Sequence, residues 1–502
     1  MVESGDRRCT DARVTSSKGW GSGVGGRGML MDARDAAFFY LERQHVTQSF
    51  VTGYVFFSDD GGAPDVGREE IVGWLSDRVD GLPALRDRVI RVPFALAVPR
   101  VCEDANFDIG RHLVFHDAAH WDDLRTLAPQ LIARRMDPAH PLWRIHVAQK
   151  VRGVMGRSDP ATVVMIQFHH SIADGQESVR IAKRLFSSAP VHVKDLPSLR
   201  GGAVPSIAGL TFRSLVSVPW VLMRFLSSLR TIGAGNRLVR DEVARGDYRV
   251  EAREPFAAPF NGALGERRRF DCLFIPFGEV KKVRSALGNV TINDIFLAIV
   301  SLGLSRYLAE RGSGSSGSLG ATVPVSTRGI APAQTSRNQF VVCGVDLHTD
   351  VADPIERVHR IHNSAVEAIS AAKSPGHMMI FGALASVPGF IFKKSVGVIE
   401  RRQHRNPVAS FHTGISSVPR GEGDWRLGDA KAVGCFDMIS LEGIAGVGHT
   451  IDTLGDLATI NITVDPDLFA DIDRYRELLA DAWNDIRTSS AALEMNSVAP
   501  SQ

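Results

Sequence analysis

Two stretches rich in proline and glycine divide this sequence, and they constrain its fold more than any other feature. Residues 190–206 (PVHVKDLPSLRGGAVPS) hold three prolines and an adjacent glycine pair, a composition typical of a linker. Residues 249–266 are polar and are interrupted by Pro255 and Pro259. Between the two stretches lies an amphipathic helical pattern that ends near Arg240. The chain of 502 residues also exceeds the size of roughly 250–300 residues at which single cores stop growing.

Strand-like and helix-like segments alternate on both sides of the linker. Residues 50–57 and 162–168 are short runs rich in β-branched and aromatic residues, which predict strands, and a helical pattern covers about 176–186. The second half begins again with a strand-like run at 270–277. A T-x-x-D capping pattern at 291–294 then precedes an apolar helix. The alternation predicts an α/β fold with two lobes.

These boundaries give a domain organisation. We predict a disordered tail at 1–30, an N-terminal lobe at 31–190, a linker with a crossover helix at 191–265, a C-terminal lobe at 266–490 and a tail at 491–502. The first tail is rich in glycine, serine and arginine and lacks the apolar segment of a signal peptide.

Charge and cysteine content argue against several classes of function. The formal net charge is +2 with both signs mixed along the chain, so nucleic acid is not an expected partner. The five cysteines are far apart and form no CxxC pair, which disfavours a disulfide framework and a structural zinc site. These features favour a reducing, cytoplasmic setting.

Two apolar segments are candidates for contact with a membrane. Residues 207–227 are interrupted by Arg213, Pro219 and Arg224. Residues 378–392 (MMIFGALASVPGFIF) are shorter than the roughly 20 apolar residues that a spanning helix needs. We therefore expect neither segment to cross a membrane, and both are candidates for lying on its surface. The basic residues that follow the second segment suit either anionic headgroups or a solvated surface.

The strongest local signal is HHSIADG at residues 169–175, directly after an apolar run of strand length. Successive side chains of a strand point to opposite faces, so only one of His169 and His170 can point into a given cleft. Asp174 and Gly175 lie at the turn into the following helix, where glycine lets another chain segment approach closely.

An imidazole at this position suits general-base catalysis, because its unperturbed pKa of about 6.5 leaves it largely neutral near physiological pH. No GxSxG element that would indicate a serine nucleophile is present. Other interpretations are a hydrogen-bonded core histidine, or a metal site formed by His169, His170 and Asp174. Adjacent strand histidines diverge and no further cluster of His or Cys is near, so we expect no metal.

The motif and the segments around it resemble a known family. HHxxxDG, matched at His169, His170, Asp174 and Gly175, resembles the CoA-dependent acyltransferase superfamily. Over about residues 32–486 the chain is similar to the bacterial wax ester synthase/diacylglycerol acyltransferase family in its actinobacterial form. The similarity rests on DARDAAFFYLE (32–42), LPALRDRV (82–89), HPLWRIHV (140–147), TINDIFLAIVSLGLSRYL (291–308), PVSTR (324–328) and DPIERV (353–358).

The resemblance implies both a fold and a reaction. The fold would be α/β, with two chloramphenicol-acetyltransferase-like lobes and a tunnel between them. The reaction would move a long-chain fatty acyl group from acyl-CoA, a co-substrate, to diacylglycerol or to a long-chain alcohol, without a cofactor. The protein would be cytoplasmic and peripherally associated with the inner face of the plasma membrane or with lipid droplets. Two alternatives stay open: transfer to another lipid alcohol or an amine, and a non-catalytic lipid-binding or lipid-droplet protein.

The resemblance also implies roles for single residues. His170 would be the general base and His169 would support it. Asp174 would be structural and paired with an arginine, for which Arg328 is a guess. Gly175 would be structural and leave room for the acyl-CoA.

Two further residues and two departures concern the rest of the site. Asn293 and Asp294 match an Asn-Asp motif, and we predict a part in substrate binding or in support of the lobe interface. Ser171 stands where the family usually has alanine. Residues 417–420 (SVPR) stand where the family has asparagine-valine-proline-glycine. These departures put acceptor or acyl-chain preference in doubt more than catalysis.

Overall fold

A computed structural model describes residues 29–43, 45–59, 66–187, 206–250, 253–313, 317–330 and 336–498, and all structural statements concern these residues. The predicted tail at 1–30 lies outside them except for Met29 and Leu30. These two residues pair with Val101 and Arg100 and so belong to the first lobe. Residues 191–205 of the predicted linker also lie outside the described residues.

The first half of the chain alternates strands and helices, as the sequence predicts. Its strands are β1 (Met29–Leu30), β2 (Ser49–Phe57), β3 (Asp87–Ile90), β4 (Arg100–Glu103), β5 (Leu113–His116), β6 (Trp143–Val151) and β7 (Ala161–His169). Its helices are α1 (Ala33–Leu41), α2 (Arg68–Asp80), α3 (Trp121–Ala133), α4 (Gly175–Phe186) and the long α5 (Ile207–Arg245). Short 3-10 turns lie at Pro83–Arg86, Pro93–Ala95, Ile109–Arg111 and Val154–Gly156.

The second half has the same mixed character. Its strands are β8 (Arg269–Pro276), β9 (Gly320–Ser326), β10 (Phe340–Asp346), β11 (Thr413–Gly421), β12 (Arg426–Leu427), β13 (Ala430–Ile439), β14 (Val447–Leu454) and β15 (Leu457–Val464). Its helices are α6 (Phe277–Leu287), α7 (Ile292–Glu310), α8 (Pro354–Lys373), α9 (Pro375–Leu384), α10 (Gly389–Arg405) and α11 (Ile472–Val498).

Two six-stranded sheets organise the lobes. The first has the order β12-β13-β2-β7-β6-β5 and the second the order β10-β9-β11-β14-β15-β8, while β1, β4 and β3 form a small third sheet. All residues of β2 and β7 are buried, which explains their runs of apolar side chains without alternation. The helices α2 and α4 pack on one face of the first sheet, and α3 packs on the other. The second lobe forms its own core around α6, α7, α8 and α11.

One segment does not follow the predicted domain boundary. Strands β12 and β13 lie within the range predicted for the C-terminal lobe, yet β13 pairs with β2 and extends the first sheet. Its side chains Phe436 and Met438 are fully buried in the first lobe's core, next to Phe270 and Cys272 of β8. The β12–β13 hairpin therefore comes from the second half of the chain but belongs to the first sheet. A domain boundary drawn from chain order cannot describe this arrangement.

The crossover helix α5 is longer and more continuous than the interruptions in its sequence suggest. It includes Pro219, which has no N–H to donate to the backbone carbonyl one turn earlier. Pro219 is exposed, so water can bind this carbonyl instead. By length and composition α5 and α7 could each cross a membrane, and α9 with α10 would add a third span if this bent pair counts as one. The most apolar window of α7 is 72% buried in the protein, whereas that of α5 is 6% buried.

The end of the second lobe also differs from the prediction. The helix α11 continues to Val498, whereas we expected a tail from residue 491. Residues 491–498 (AALEMNSV) contain no proline or glycine, so nothing in this stretch interrupts the helix that the apolar pattern begins.

Candidate active site

The strand β7 delivers the two histidines of the motif to opposite surroundings. His169 is its last residue and pairs with Ser49 of β2. The His169 ring stacks on Phe39 with centroids 4.7 Å apart, whereas the His170 ring stacks on Phe38 at 4.9 Å. The predicted divergence of the two side chains is thus confirmed.

His169 is buried in a fixed orientation. Its Nδ1 accepts a hydrogen bond from the backbone N–H of Ser171 at 3.1 Å, and the Ser171 hydroxyl lies 2.7 Å from the same atom. Nδ1 is therefore occupied as an acceptor, and Nε2 lies 3.5 Å from Oε1 of Glu42. Burial alone would raise the pKa of Glu42, but the neighbouring His169 and nearby arginines hold it below its ordinary value. Ser171, the residue that departs from the family, thus orients His169.

His170 is held by its backbone and by aromatic rings. Its N–H donates to the carbonyl of Gln48 at 2.7 Å, and its own carbonyl accepts from Nδ2 of Asn338 at 2.7 Å. The Phe50 ring lies 4.7 Å from the imidazole. Nδ1 is buried without a hydrogen-bond partner among the described residues.

The protonation state of His170 suits a base. Burial, followed by the effect of the His169 ring, lowers the pKa of His170 to about 4, against the opposing effect of Asp174. The imidazole is therefore neutral at physiological pH and can accept a proton without first losing one.

A hydrogen-bond network that the sequence patterns did not predict holds the backbone of His170 in place. Oδ1 of Asp35 on α1 accepts hydrogen bonds from the Ser336 hydroxyl at 2.8 Å and from Nδ2 of Asn338 at 2.9 Å, and its Oδ2 accepts from the Arg337 N–H at 3.0 Å. Asn338 thus connects α1 of the first lobe to the carbonyl of His170. One sequence signal was available, because Asp35, Phe38 or Phe39, and Glu42 follow the i, i+3 or i+4, i+7 spacing of one helix face.

Asp174 fixes the turn after the histidines and joins the lobes. Its Oδ1 accepts from the Glu177 N–H at 2.8 Å and so caps α4. Arg328 contacts both carboxylate oxygens at 2.8 and 2.9 Å, and the Gln339 N–H donates to Oδ2 at 3.1 Å. The guess that Arg328 pairs with Asp174 is confirmed. Because these hydrogen bonds engage both carboxylate oxygens, they indicate a structural role for Asp174.

Gly175 lets the second lobe pack closely against the start of α4. A Cβ at this position would lie 2.8 Å from Cγ2 of Val418 on β11, which is too close for an unstrained contact. We expected the small residue to leave room for the acyl-CoA, but in the structure the adjacent space is filled by Val418. The glycine is needed for the close approach of β11 to the start of α4.

Replacing Gly175 with alanine should destabilise the junction of the lobes by about 1–3 kcal/mol, the typical cost of overpacking. Adding Val418→Ala in the same chain should recover much of that loss, because it removes the contacting methyl group. Gly278→Ala is a matched control, since nothing lies within 4 Å of a Cβ there. Urea unfolding of the four proteins measures the effect, and a G175A protein as stable as wild type would contradict the tight contact.

The Asn293-Asp294 pair stands at the start of α7 and contributes unequally. Asp294 is buried, forms a capping box with Thr291 and contacts Nδ1 of His362 at 2.7 Å. These contacts use the carboxylate for structure and speak against a substrate contact. Asn293 is exposed and its Oδ1 accepts from the Ser417 hydroxyl at 2.9 Å. It therefore ties α7 to β11, next to the contact between Val418 and Gly175.

The other departure from the family places a charge inside the protein. The Arg420 side chain has no exposed surface and donates to Oδ1 of Asp452 and to the Tyr54 hydroxyl, each at about 3 Å, and also contacts Asp437. Burial raises the pKa of Asp437 well above its ordinary value. The positive charge of Arg420 opposes this shift, and the neighbouring Asp452 carboxylate adds to it. The cluster joins β11 and β14 of the second sheet to β2 and β13 of the first.

A large apolar cavity lies beside the histidine motif and between the lobes. Its volume is about 1270 Å³, and its walls include α1 of the first lobe, the crossover helix α5, and α9, α10 and β10 of the second lobe. Phe38 and Asn338 line it, and both also contact His170. The cavity thus ends one aromatic ring from the imidazole. Five basic side chains also reach its walls: Arg34, Arg100, Arg213, Arg224 and Lys373.

The described residues offer no obvious place for a metal ion. Within them, no group of three or more His, Cys, Asp or Glu side chains lies close enough together to hold one. His169 and His170 diverge, and Asp174 is engaged with Arg328, so these three residues do not converge on a common point.

Solved structures with a similar fold include a wax ester synthase/diacylglycerol acyltransferase from Marinobacter aquaeolei VT8. The superposition has a TM-score of 0.64 at 20% sequence identity, and it covers 92% of this chain and 100% of the Marinobacter chain. The trichothecene 15-O-acetyltransferase TRI3 from Fusarium sporotrichioides has a TM-score of 0.51 and 10% identity, over 92% of this chain and 95% of its own. Both likenesses concern the fold, and they agree with the two-lobed acyltransferase architecture that the resemblance implies.

Sequence relatives and family profiles are more specific. Two Mycobacterium tuberculosis proteins named as candidate diacylglycerol O-acyltransferases are similar: Rv3087, 30% identical over 58% of this chain and 62% of its own length, and tgs1, 25% identical over 70% and 73%. The match to Rv3087 thus spans less than two thirds of that relative. The wax ester synthase/diacylglycerol acyltransferase catalytic domain matches residues 31–296, and the WS/DGAT C-terminal domain matches residues 337–487. The chain therefore belongs to the wax ester synthase/diacylglycerol acyltransferase family.

Proposed function

We propose that this protein transfers a long-chain fatty acyl group from acyl-CoA to the free hydroxyl of diacylglycerol, with long-chain alcohols as a second class of acceptor. The observation that carries the proposal is the neutral His170 imidazole, which stacks on Phe38 in the wall of a large apolar cavity. The names of the relatives favour diacylglycerol as the first acceptor to test.

The chemistry needs a base and little else from the protein. The His170 imidazole takes the proton of the acceptor hydroxyl while the hydroxyl oxygen attacks the thioester carbonyl carbon. The tetrahedral intermediate collapses, the C–S bond breaks, and the imidazolium returns the proton to the CoA thiolate. The products are an ester and CoA, so atoms and charges balance without a cofactor. Because the thioester is already activated, no covalent enzyme nucleophile is required.

The size and lining of the cavity support a long-chain substrate. Its volume of about 1270 Å³ exceeds the roughly 300–1,000 Å³ of sites for drug-sized ligands. Phe38, Phe340, Phe381 and Phe392 are among its walls, so an acyl chain would be removed from water along its length. A short acyl group would leave most of this surface uncovered.

The lipid nature of the acceptor favours a place at a lipid surface. We propose that the protein is cytoplasmic and associates peripherally with the inner face of the plasma membrane or with lipid droplets. The exposed apolar side chains of α5 support this proposal, because a soluble protein seldom leaves such a surface uncovered.

Release of CoA thiol from palmitoyl-CoA tests the reaction, with dioleoylglycerol and hexadecanol offered separately and the ester products identified. We expect acceptor-dependent release, with triacylglycerol formed faster than wax ester. Release with hexadecanol alone would reverse the order of acceptors. Uptake of acyl lipid without thiol release under any condition would overturn the enzymatic proposal and favour a lipid-binding protein.

A further inference from the structure

The outer face of α5 carries a continuous apolar surface. Six large side chains, each more than half exposed, follow the spacing i, i+3, i+4, i+8, i+11 and i+14, which places them on one side of the helix. They are Phe212, Leu215, Val216, Trp220, Met223 and Leu226. We call this set the α5 apolar face. Nothing among the described residues covers it.

The opposite side of α5 is committed to the protein. Its buried residues include Leu210, Ser214, Ser228 and Gly235. At Gly235 a Cβ would lie 2.6 Å from Cγ1 of Ile380 on α9, so the two helices are in close contact. The helix therefore cannot immerse its whole circumference in lipid without leaving this contact. Its geometry suits a helix that lies in the plane of an interface, with one face on the protein and the other free.

Charge identifies the partner that this face fits. Between residues 207 and 240, α5 has five arginines and no acidic residue. The helix α10 has no buried residue and presents Lys393, Lys394, Arg401, Arg402 and Arg405 to solvent. The only acidic side chain of α10, Glu400, accepts a hydrogen bond from Arg43 at 3.1 Å. An apolar strip next to uncompensated basic side chains is complementary to a bilayer that contains anionic phospholipid.

The apolar face and the cavity share side chains. Trp220 belongs to the α5 apolar face and lines the cavity, and Leu384 of α9 lines the cavity while half exposed. A lipid held at this surface would therefore be next to the cavity wall. A neutral acceptor such as diacylglycerol has low solubility in water, so delivery from the bilayer avoids a passage through solvent.

We propose that the α5 apolar face and the basic side of α10 dock the protein on anionic phospholipid bilayers, and that the lipid alcohol enters the cavity from there between α5 and α9. The docking surface stands on its own observations, whereas the entry of the acceptor rests on the proposed acyl transfer.

Flotation of the full-length protein with vesicles tests the docking surface. We expect wild type to float with phosphatidylcholine vesicles that contain about 30% phosphatidylglycerol, to float less with pure phosphatidylcholine, and to dissociate at high salt. The double variant Leu215→Glu/Met223→Glu should reduce the bound fraction about tenfold, because it places two charges in the apolar interface. Leu493→Glu is the matched control, an exposed leucine on α11 that should bind as wild type does.

Turnover separates docking from catalysis. Neither Leu215 nor Met223 lines the cavity, so CoA release with the water-soluble dioctanoylglycerol should be unchanged in the double variant. Release with dioleoylglycerol embedded in anionic vesicles should fall with the bound fraction. Absence of turnover in wild type would refute the proposed acyl transfer. The flotation experiment would still test the docking surface, because it does not depend on turnover. Equal flotation of wild type and double variant would overturn the docking proposal, as would a dimer of the free protein that the double variant abolishes without any vesicle binding by wild type.

Discussion

Replacing His170 with alanine should lower the turnover number for CoA release by about 10²–10⁴-fold, the usual contribution of a general base. The imidazole has a nitrogen, Nδ1, without a hydrogen-bond partner among the described residues, and its low pKa keeps the ring neutral. The alanine variant removes the proton acceptor but leaves the backbone hydrogen bonds to Gln48 and Asn338 in place. The Michaelis constant should change much less than the turnover number, because the cavity proposed for the acyl chain is lined by other side chains.

Two measurements distinguish loss of the base from loss of structure. His359→Ala removes an exposed histidine on α8 and should leave turnover unchanged, and thermal unfolding should show that the H170A variant is folded. In wild type, kcat/KM should fall on the acid side with an apparent pKa near 4, because protonation below that pH removes the acceptor. Near-normal turnover in H170A, or an acid limb near 6.5 that the variant retains, would refute the assignment.

Replacing Arg420 with methionine should destabilise the folded protein by about 3–5 kcal/mol, the typical loss when one partner of a buried ion pair is removed. Asp437 and Asp452 would remain buried without a cation, since both are almost fully enclosed next to the Arg420 side chain. Methionine has a similar length, so the change in packing is small compared with the loss of charge. Urea unfolding followed by tryptophan fluorescence measures the difference in midpoint and slope.

The charge explanation of this loss has its own test. Adding Asp437→Asn to the Arg420→Met variant removes one of the stranded carboxyls and should recover part of the stability. Arg474→Met is the control for a partly exposed arginine with two acidic partners, Glu310 and Glu477, and should cost much less because water replaces the lost contacts. A loss no larger for R420M than for R474M would show that the cluster is not under the expected electrostatic constraint.

Local sequence patterns determined the elements that present the site. The apolar run before the histidine pair forms β7, the capping signals of Thr291 and Asp353 begin α7 and α8, and the period of two in a strand separates His169 from His170. The histidine that we propose as general base and the turn at Asp174 could therefore be located from sequence. These features depend on residues a few positions apart, whose relative orientation the backbone geometry of a strand or helix sets.

Only the tertiary structure decided which distant residues meet at the site. Asn338 reaches the carbonyl of His170 across 168 positions of the chain, and Arg420 reaches Tyr54 across 366. The pairing of β13 with the first sheet was equally invisible in the sequence patterns, and the apolar pattern of 207–227 did not show which side of α5 stays uncovered. Such contacts arise from the packing of two lobes, and their free energy is realised only when both are folded. A linear pattern of hydrophobicity and charge indicates which faces of a helix or strand are apolar, whereas the shape of the whole molecule decides which residues those faces contact.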